Sequence, residues 1–321
     1  MHHLSYGEVK TAAERIDGLV RPVTVAPVLG PGTGAPRSPY RLWLALEFLQ
    51  HTGSFKARGA RNFLAAHRED GSLPETGVTI ASGGNAGLAC AWAAREQGVP
   101  ATVFLPENAP RVKVARLRSY GAEVRLTGSE YAEAAAACEE FAQSTGALRS
   151  HAYDHPLIAA GAGTLLEEIR AQVPDLDTVV VSVGGGGLFA GVAAAAQHHG
   201  IRVVAVEPEN CRALNAALEA GRVVDVPVDS VAADSLGARR ATPMAHAAAA
   251  HRNVRSVLVQ DSAVVAARDT LWNEHRLAVE HAAATAMAGI LGETAPYTPS
   301  DGERVAVVLC GANTDPGDLA A

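Results

Sequence analysis

An α/β protein with mainly parallel sheets is predicted by three observations. From about residue 40 onward, short β-branched runs alternate with longer alanine-rich stretches. Most of the short runs are apolar at every position, as strands covered on both faces must be. Glycine-rich turns follow several of them directly. In chain order the predicted strands are 41–47, 78–81, 101–105, 123–126, 178–183, 202–206, 255–259 and 304–309, with helices over 85–97, 129–144, 157–172 and 262–274 between them. Surface loops are expected over 27–39, which is rich in Gly and Pro, and over 69–77, which holds Gly71, Ser72, Pro74 and Gly77. The second loop precedes three compact strand–helix units. Residues 78–150 are therefore expected to form a smaller inserted domain, with 1–77 and 151–321 making the larger one.

Composition narrows the function. At about 150 residues per domain, 321 residues suit two domains with a large core. Thirty-four acidic residues against 27 basic ones, with no dense Lys/Arg run, exclude a nucleic-acid or membrane-surface protein. No stretch reaches the ~18 uninterrupted apolar residues of a membrane span. The opening MHHLSYGEVKTAAERI lacks the apolar region of a signal peptide, so a cytoplasmic protein is expected. Cys90, Cys138, Cys211 and Cys310 are scattered with no C-x-x-C pair, which fits a reduced compartment and neither a disulfide scaffold nor a zinc site. Only three of the 27 basic residues are lysine: Lys10, Lys56 and Lys113. Lys10 and Lys113 lie among polar residues and read as surface. His51, His151 and His155 lack metal spacing and read as structural. Trp43, Trp92 and Trp272 read as core.

Four segments carry chemistry. In His51-Thr52-Gly53-Ser54-Phe55-Lys56-Ala57-Arg58-Gly59-Ala60, Thr52 or Ser54 is expected to cap a helix whose first turn holds Lys56. A lysine there meets an unfavourable dipole, which lowers its pKa and suits a Schiff-base amine. Ser82-Gly83-Gly84-Asn85-Ala86-Gly87 turns from strand 78–81 into a helix, and its amides with Ser82 and Asn85 suit a carboxylate. Val183-Gly184-Gly185-Gly186-Gly187-Leu188 joins a buried strand to a helix; four glycines there suit a backbone wrapped around a phosphate. On spacing alone, Gly185-x-Gly187-x-x-Ala190 with Glu207 downstream also fits a loose dinucleotide fingerprint, so a dehydrogenase stays open at this point. Cys310-Gly311-Ala312-Asn313 ends the last strand, where ligands gather in α/β sheets.

Taken together and in this order, the four segments resemble the pyridoxal-phosphate enzymes of the tryptophan-synthase-β fold type, and most closely the serine/threonine dehydratase group. The resemblance runs from Ala12 to Asn313 and includes Tyr153-Asp154-His155-Pro156 and Gly161-Ala162-Gly163-Thr164. It displaces the dehydrogenase reading. It implies two open, mainly parallel twisted sheets covered by helices, a homodimer, and a small amino-acid substrate. Lys56 would carry pyridoxal 5'-phosphate as a Schiff base and then abstract the α-proton, with Phe55 beside the pyridine ring. Asn85 would bond the cofactor's 3′-oxygen. Ser82, Gly83, Gly84, Asn85 and Ala86 would hold the substrate carboxylate. Gly184, Gly185, Gly186, Gly187 and Leu188 would cradle the phosphate, and Gly237 would lie in a loop facing the cofactor. Cys310 would face the pyridine nitrogen. A neutral thiol there leaves the ring a milder electron sink than a carboxylate partner would, so the carbanion is discharged by expelling the β-substituent.

The implied reaction is dehydration and deamination of a 3-hydroxy amino acid such as L-serine or L-threonine to a 2-oxo acid and ammonia. The alternatives are β-replacement, a threonine-synthase-like enzyme, or a non-catalytic cofactor-binding relative. Several positions depart from the group's pattern. Gly83 stands where racemases of the group carry a second serine, so racemisation is not expected. Glu207 is kept, but Cys211, Arg212 and Ala213 replace an acidic cluster, so no metal dependence is expected. Glu280 opens an altered segment, Glu280-His281-Ala282-Ala283-Ala284, and is expected near Cys310. Arg239-Arg240 reads as a solvated pair. The short stretch after Cys310 leaves no regulatory domain to be expected.

Overall fold

The computed structural model describes residues 2–28, 40–292 and 295–319. Most of the loop expected over 27–39 lies outside the described residues. In chain order the elements are α1 (Tyr6–Ile16), β1 (Val25–Val28), β2 (Arg41–Ala45), α2 (Lys56–Glu69), β3 (Val78–Ala81), α3 (Asn85–Gln97), β4 (Ala101–Leu105), α4 (Arg111–Ser119), β5 (Glu123–Leu126), α5 (Tyr131–Thr145), β6 (Leu148–Arg149), α6 (Pro156–Gln172), β7 (Thr178–Ser182), α7 (Gly187–His199), β8 (Arg202–Pro208), α8 (Ala213–Ala220), α9 (Ala233–Leu236), α10 (Pro243–Ala249), β9 (Val254–Val259), α11 (Asp261–His275), α12 (His281–Ala288) and β10 (Arg304–Val308). Two 3₁₀ turns, Glu47–Leu49 and His51–Gly53, lead from β2 to α2.

The strands form two sheets, of order β1-β2-β10-β7-β8-β9 and β5-β4-β3-β6. Every pairing is parallel except β1 with β2. Valines of β7, β8 and β10 are fully buried between helices on both faces, which is why these runs read as uniformly apolar. β5, with Glu123 and Arg125 at the sheet edge, is mostly exposed; its charges protect an unpaired edge. A second core lies on the smaller sheet. Ala57, Phe63 and Leu64 of α2 join it, and α6 belongs to both packing units, with Ile158 in the smaller core and Ala159 to Ile169 in the larger.

Helix crossings account for the glycines outside the loops. A Cβ at Gly59 would lie 2.6 Å from the Ile158 carbonyl, and one at Gly191 only 2.1 Å from that of Ala159. Side chains there would force α6 away from α2 and α7. The same α2–α6 contact holds a buried ion network. Arg58 donates from Nε to Glu47 (2.6 Å) and from its terminal nitrogens to both oxygens of Glu168 (2.5 and 2.8 Å) and to Thr164 (3.2 Å). These partners lock α2, and the residue two positions before Arg58, against α6 and the turn after β2. No helix among the described residues is long and apolar enough to cross a membrane.

Candidate active site

Parallel pairing brings the carboxyl ends of β2, β10 and β7 to one edge of the large sheet, and β3 ends beside them. All four chemical segments leave strands at these ends, in the crevice where α/β sheets bind ligands. The first and last are joined directly: Ser54 bridges Gly311, and the Phe55 amide donates to the Cys310 carbonyl at 2.9 Å.

Lys56 opens α2, as expected, but neither expected cap is made. Phe55 occupies the cap position with helical dihedrals, and the hydroxyls of Thr52 and Ser54 are buried without partners. Pairing to the segment after β10 holds this helix start instead. Lys56 Nζ donates to the Ala152 carbonyl at 2.7 Å and lies 4.7 Å from the Phe55 ring and 5.9 Å from that of Tyr153. Burial drives its pKa down to about 8, against the opposing pull of Cys310 and Glu280. Labelling of Lys56 by an amine reagent should therefore rise about tenfold per pH unit up to about pH 8 and then level off. Peptide mapping reads this against Lys10 and Lys113 in the same sample. A plateau reached only above pH 10 would place Lys56 in a solvated setting.

The glycine loop is boxed in. A Cβ at Gly185 would fall 2.3 Å from the Tyr153 ring, one at Gly186 2.3 Å from Ala245 Cβ, and one at Gly184 3.0 Å from the Leu236 Cα. Gly186 has φ +97°, which admits glycine readily. The Gly185 and Gly186 carbonyls accept from Thr242 (2.9 Å) and Ala190 (2.8 Å), which turns the loop's amides toward the crevice at the start of α7. A 13-residue helix opening on glycine amides is a cradle for a dianion. The side chain of Leu188 is buried in the core, so only its amide is available there.

Across the crevice, Gly84 precedes α3, and a Cβ there would meet nothing within 4 Å. Ala86 is buried against the smaller sheet, and Ser82 is half-buried. A Cβ at Gly83 would press on Leu105 Cδ2 at 2.9 Å. Asn85 Nδ2 donates to both oxygens of Glu280, at 3.0 and 3.1 Å. Burial holds the Glu280 carboxyl above the usual carboxylate range. Cys310 Sγ is 3.6 Å from Ser182 Oγ; burial, reinforced by Glu280, pushes its pKa up to about 12, so it stays a neutral thiol. Gly237 stands at one remove: it closes onto Ala233 and Val228, while its neighbour Leu236 touches the loop. A phosphate-bearing aldehyde fits this set, with an amide cradle for the phosphate, an amine half free of its proton near pH 8 for the aldehyde, and a neutral thiol beside Ser182.

Sequence reasoning placed Asn313 in the Cys310 segment but gave it no role; its Nδ2 donates to Asn85 (2.6 Å) and to the Thr52 carbonyl (2.8 Å). It also missed the Tyr153 ring. Other positions have plainer duties. Both oxygens of Glu207 are taken up by the amides of Leu214 and Asn215 (2.7 and 2.8 Å) at the start of α8. Arg240 pairs with exposed Asp225. His51 stacks on Trp92 with ring centroids 4.5 Å apart. Trp272 is half-buried beneath Arg276.

Comparison with known proteins agrees with this geometry. A family profile described as "Pyridoxal-phosphate dependent enzyme" matches residues 21–311. An L-threonine ammonia-lyase from Geobacter sulfurreducens is 37 % identical over 278 residues, covering 85 % of this chain and 67 % of the relative. The human protein "Serine dehydratase-like" is 35 % identical over 283 residues, covering 85 % of both chains. Among solved structures, maize serine racemase superposes with a TM-score of 0.89 at 27 % identity, covering 99 % of this chain and 96 % of the other.

Proposed function

Because the chain belongs to the pyridoxal-phosphate-dependent enzyme family, we propose that its site carries out β-elimination on a 3-hydroxy amino acid such as L-serine or L-threonine, giving a 2-oxo acid and ammonia. The observation that carries this reading is the pairing of a desolvated Lys56 amine with a neutral Cys310 thiol in one crevice. The relatives named for threonine ammonia-lyase and serine dehydratase activity point the same way.

When bound, pyridoxal phosphate supplies the electron sink that acidifies the substrate's Cα–H bond. The amides of Gly184 to Leu188 would hold the phosphate, and the α7 dipole would add to their pull. Phe55 would lie beside the ring, and Asn85, held by Glu280 and Asn313, would face the ring's oxygen substituent. Ser82 with the amides through Ala86 binds the substrate carboxylate, and the loop of Gly237 closes the far side. Lys56 Nζ receives the α-proton, which a neutral amine can do and an ammonium cannot. Cys310 Sγ, protonated at neutral pH, would lend the ring no full charge, which favours elimination. Gly83 offers no hydroxyl to the opposite face of the substrate, which disfavours racemisation.

Residues 78–150 act in this reading as a gating domain, and the enzyme works as a cytoplasmic homodimer without a metal. Size-exclusion chromatography with light scattering tests the dimer. The reaction is tested by offering the yellow holoenzyme serine, threonine, 3-hydroxyaspartate and 3-phenylserine. At least one should yield 2-oxo acid and ammonia in equal amounts. Formation of a thioether amino acid on adding a thiol would assign β-replacement instead. Bound cofactor with no product from any substrate would make the chain a non-catalytic relative.

A further inference from the structure

The candidate site is crossed by a one-directional chain of hydrogen bonds that begins outside it. Arg116, exposed on α4 beside the smaller sheet, donates to Asn313 Oδ1 at 2.6 Å. Asn313 Nδ2 donates to Asn85 Oδ1 at 2.6 Å, and Asn85 Nδ2 donates to Glu280. A guanidinium only donates and a backbone carbonyl only accepts, so Arg116 and Thr52 fix the sense of the Asn313 amide, and Asn313 Nδ2 in turn fixes that of Asn85. With Arg116 removed, Asn313 Oδ1 loses its donor, and the Thr52 carbonyl and Glu280 alone hold the two amides in that sense.

Local structure is built around this chain. Thr52, a β-branched residue, sits in the left-handed region at φ +63°, a strained conformation for such a side chain. In that conformation its carbonyl accepts from Asn313 Nδ2 at 2.8 Å. A Cβ at Gly53 would lie 2.9 Å from Asn313 Oδ1, and one at Gly311 would lie 2.4 Å from Glu280 Oε1. Three residues before Arg116, on the same face of α4, Lys113 pairs with Asp234 at 2.7 Å, in the segment just ahead of the loop of Gly237. α4 is thus tied at two points to segments on the large-sheet side of the crevice.

We infer that Arg116 is a positioning residue for the elimination. Held on α4, it sets the amide of Asn313, and through it the Asn85 amide and the Glu280 carboxyl, so the cofactor-facing side of the site is complete only when α4 is docked. The inference rests on the reading of Asn85 as a cofactor-facing residue. An exposed arginine with no such role would be nearly neutral on removal.

The test compares wild type with Arg116→Met and Arg116→Lys, each alone and in an Asn313→Ala background. It reads kcat, KM, the absorbance of bound cofactor, and cofactor affinity from titration of the apoenzyme. Arg116→Met is expected to lower kcat about tenfold with KM little changed, and to shift the bound-cofactor absorbance. Arg116→Lys should restore most of both, and neither substitution should matter once Asn313 is alanine. Additive losses in the double variants, or an unchanged absorbance in Arg116→Met, would overturn the inference. Should the wild type produce no oxo acid while the absorbance shift and its dependence on Asn313 remain, the relay stands and the assigned reaction falls.

Discussion

Lys56→Ala is expected to abolish 2-oxo acid formation, by about 10³-fold or more, while leaving a folded protein. The magnitude follows from removing both the anchoring amine and the proton acceptor, since general-base catalysis alone contributes about 10²–10⁴-fold. Folding should survive because the side chain gives up one hydrogen bond, to the Ala152 carbonyl, and a costly desolvated amine. Lys56→Arg should be equally inactive, because a guanidinium does not release its proton. Borohydride should attach the cofactor to a peptide containing Lys56 in the wild type and to none in either variant. Turnover near wild type in Lys56→Ala, with normal circular dichroism, would move the base elsewhere.

Arg58→Met is expected to destabilise the protein by about 3–5 kcal/mol, the usual cost of stranding buried charge. Glu47 is buried and loses both of its Arg58 bonds, while Glu168, partly exposed, loses two more. Urea denaturation of the apoprotein measures this. The triple change Arg58→Met, Glu47→Met and Glu168→Gln should recover a good part of the loss, since it leaves no stranded charge. A midpoint within error of wild type for the single variant would mean that water or a rearranged side chain neutralises the network. Because Arg58 lies two residues after Lys56, the single variant should also hold its cofactor more weakly.

Much of this was legible in the sequence, and what was not has physical causes. The buried strands announce themselves because both of their faces are covered. β1 escaped notice because it is four residues long, contains Pro27 and pairs antiparallel at an edge; β6 has only two residues. Lys56, Asn85, the glycine loop and Cys310 could be picked out because each follows a strand in a motif with local chemistry. Asn313 and Arg116 could not. Their roles come from partners 228 and 197 residues away along the chain, and nothing in the local spacing encodes those meetings. The expected caps at Thr52 and Ser54 failed for a related reason. Propensity favours a hydroxyl cap, yet a distant strand end supplied the backbone partner first.

The place of β10 in the large sheet constrains how the protein is made. β10 lies between β2 and β7, so β1 and β2 have no other link within the sheet to β7, β8 and β9. During synthesis, residues 304–308 emerge after every other strand among the described residues. Until they do, two half-sheets wait with open edges, each a template for mispairing with other chains. Closure then demands contacts across more than 260 residues, which slows folding. The amine of Lys56 and the thiol of Cys310 meet only at that final insertion.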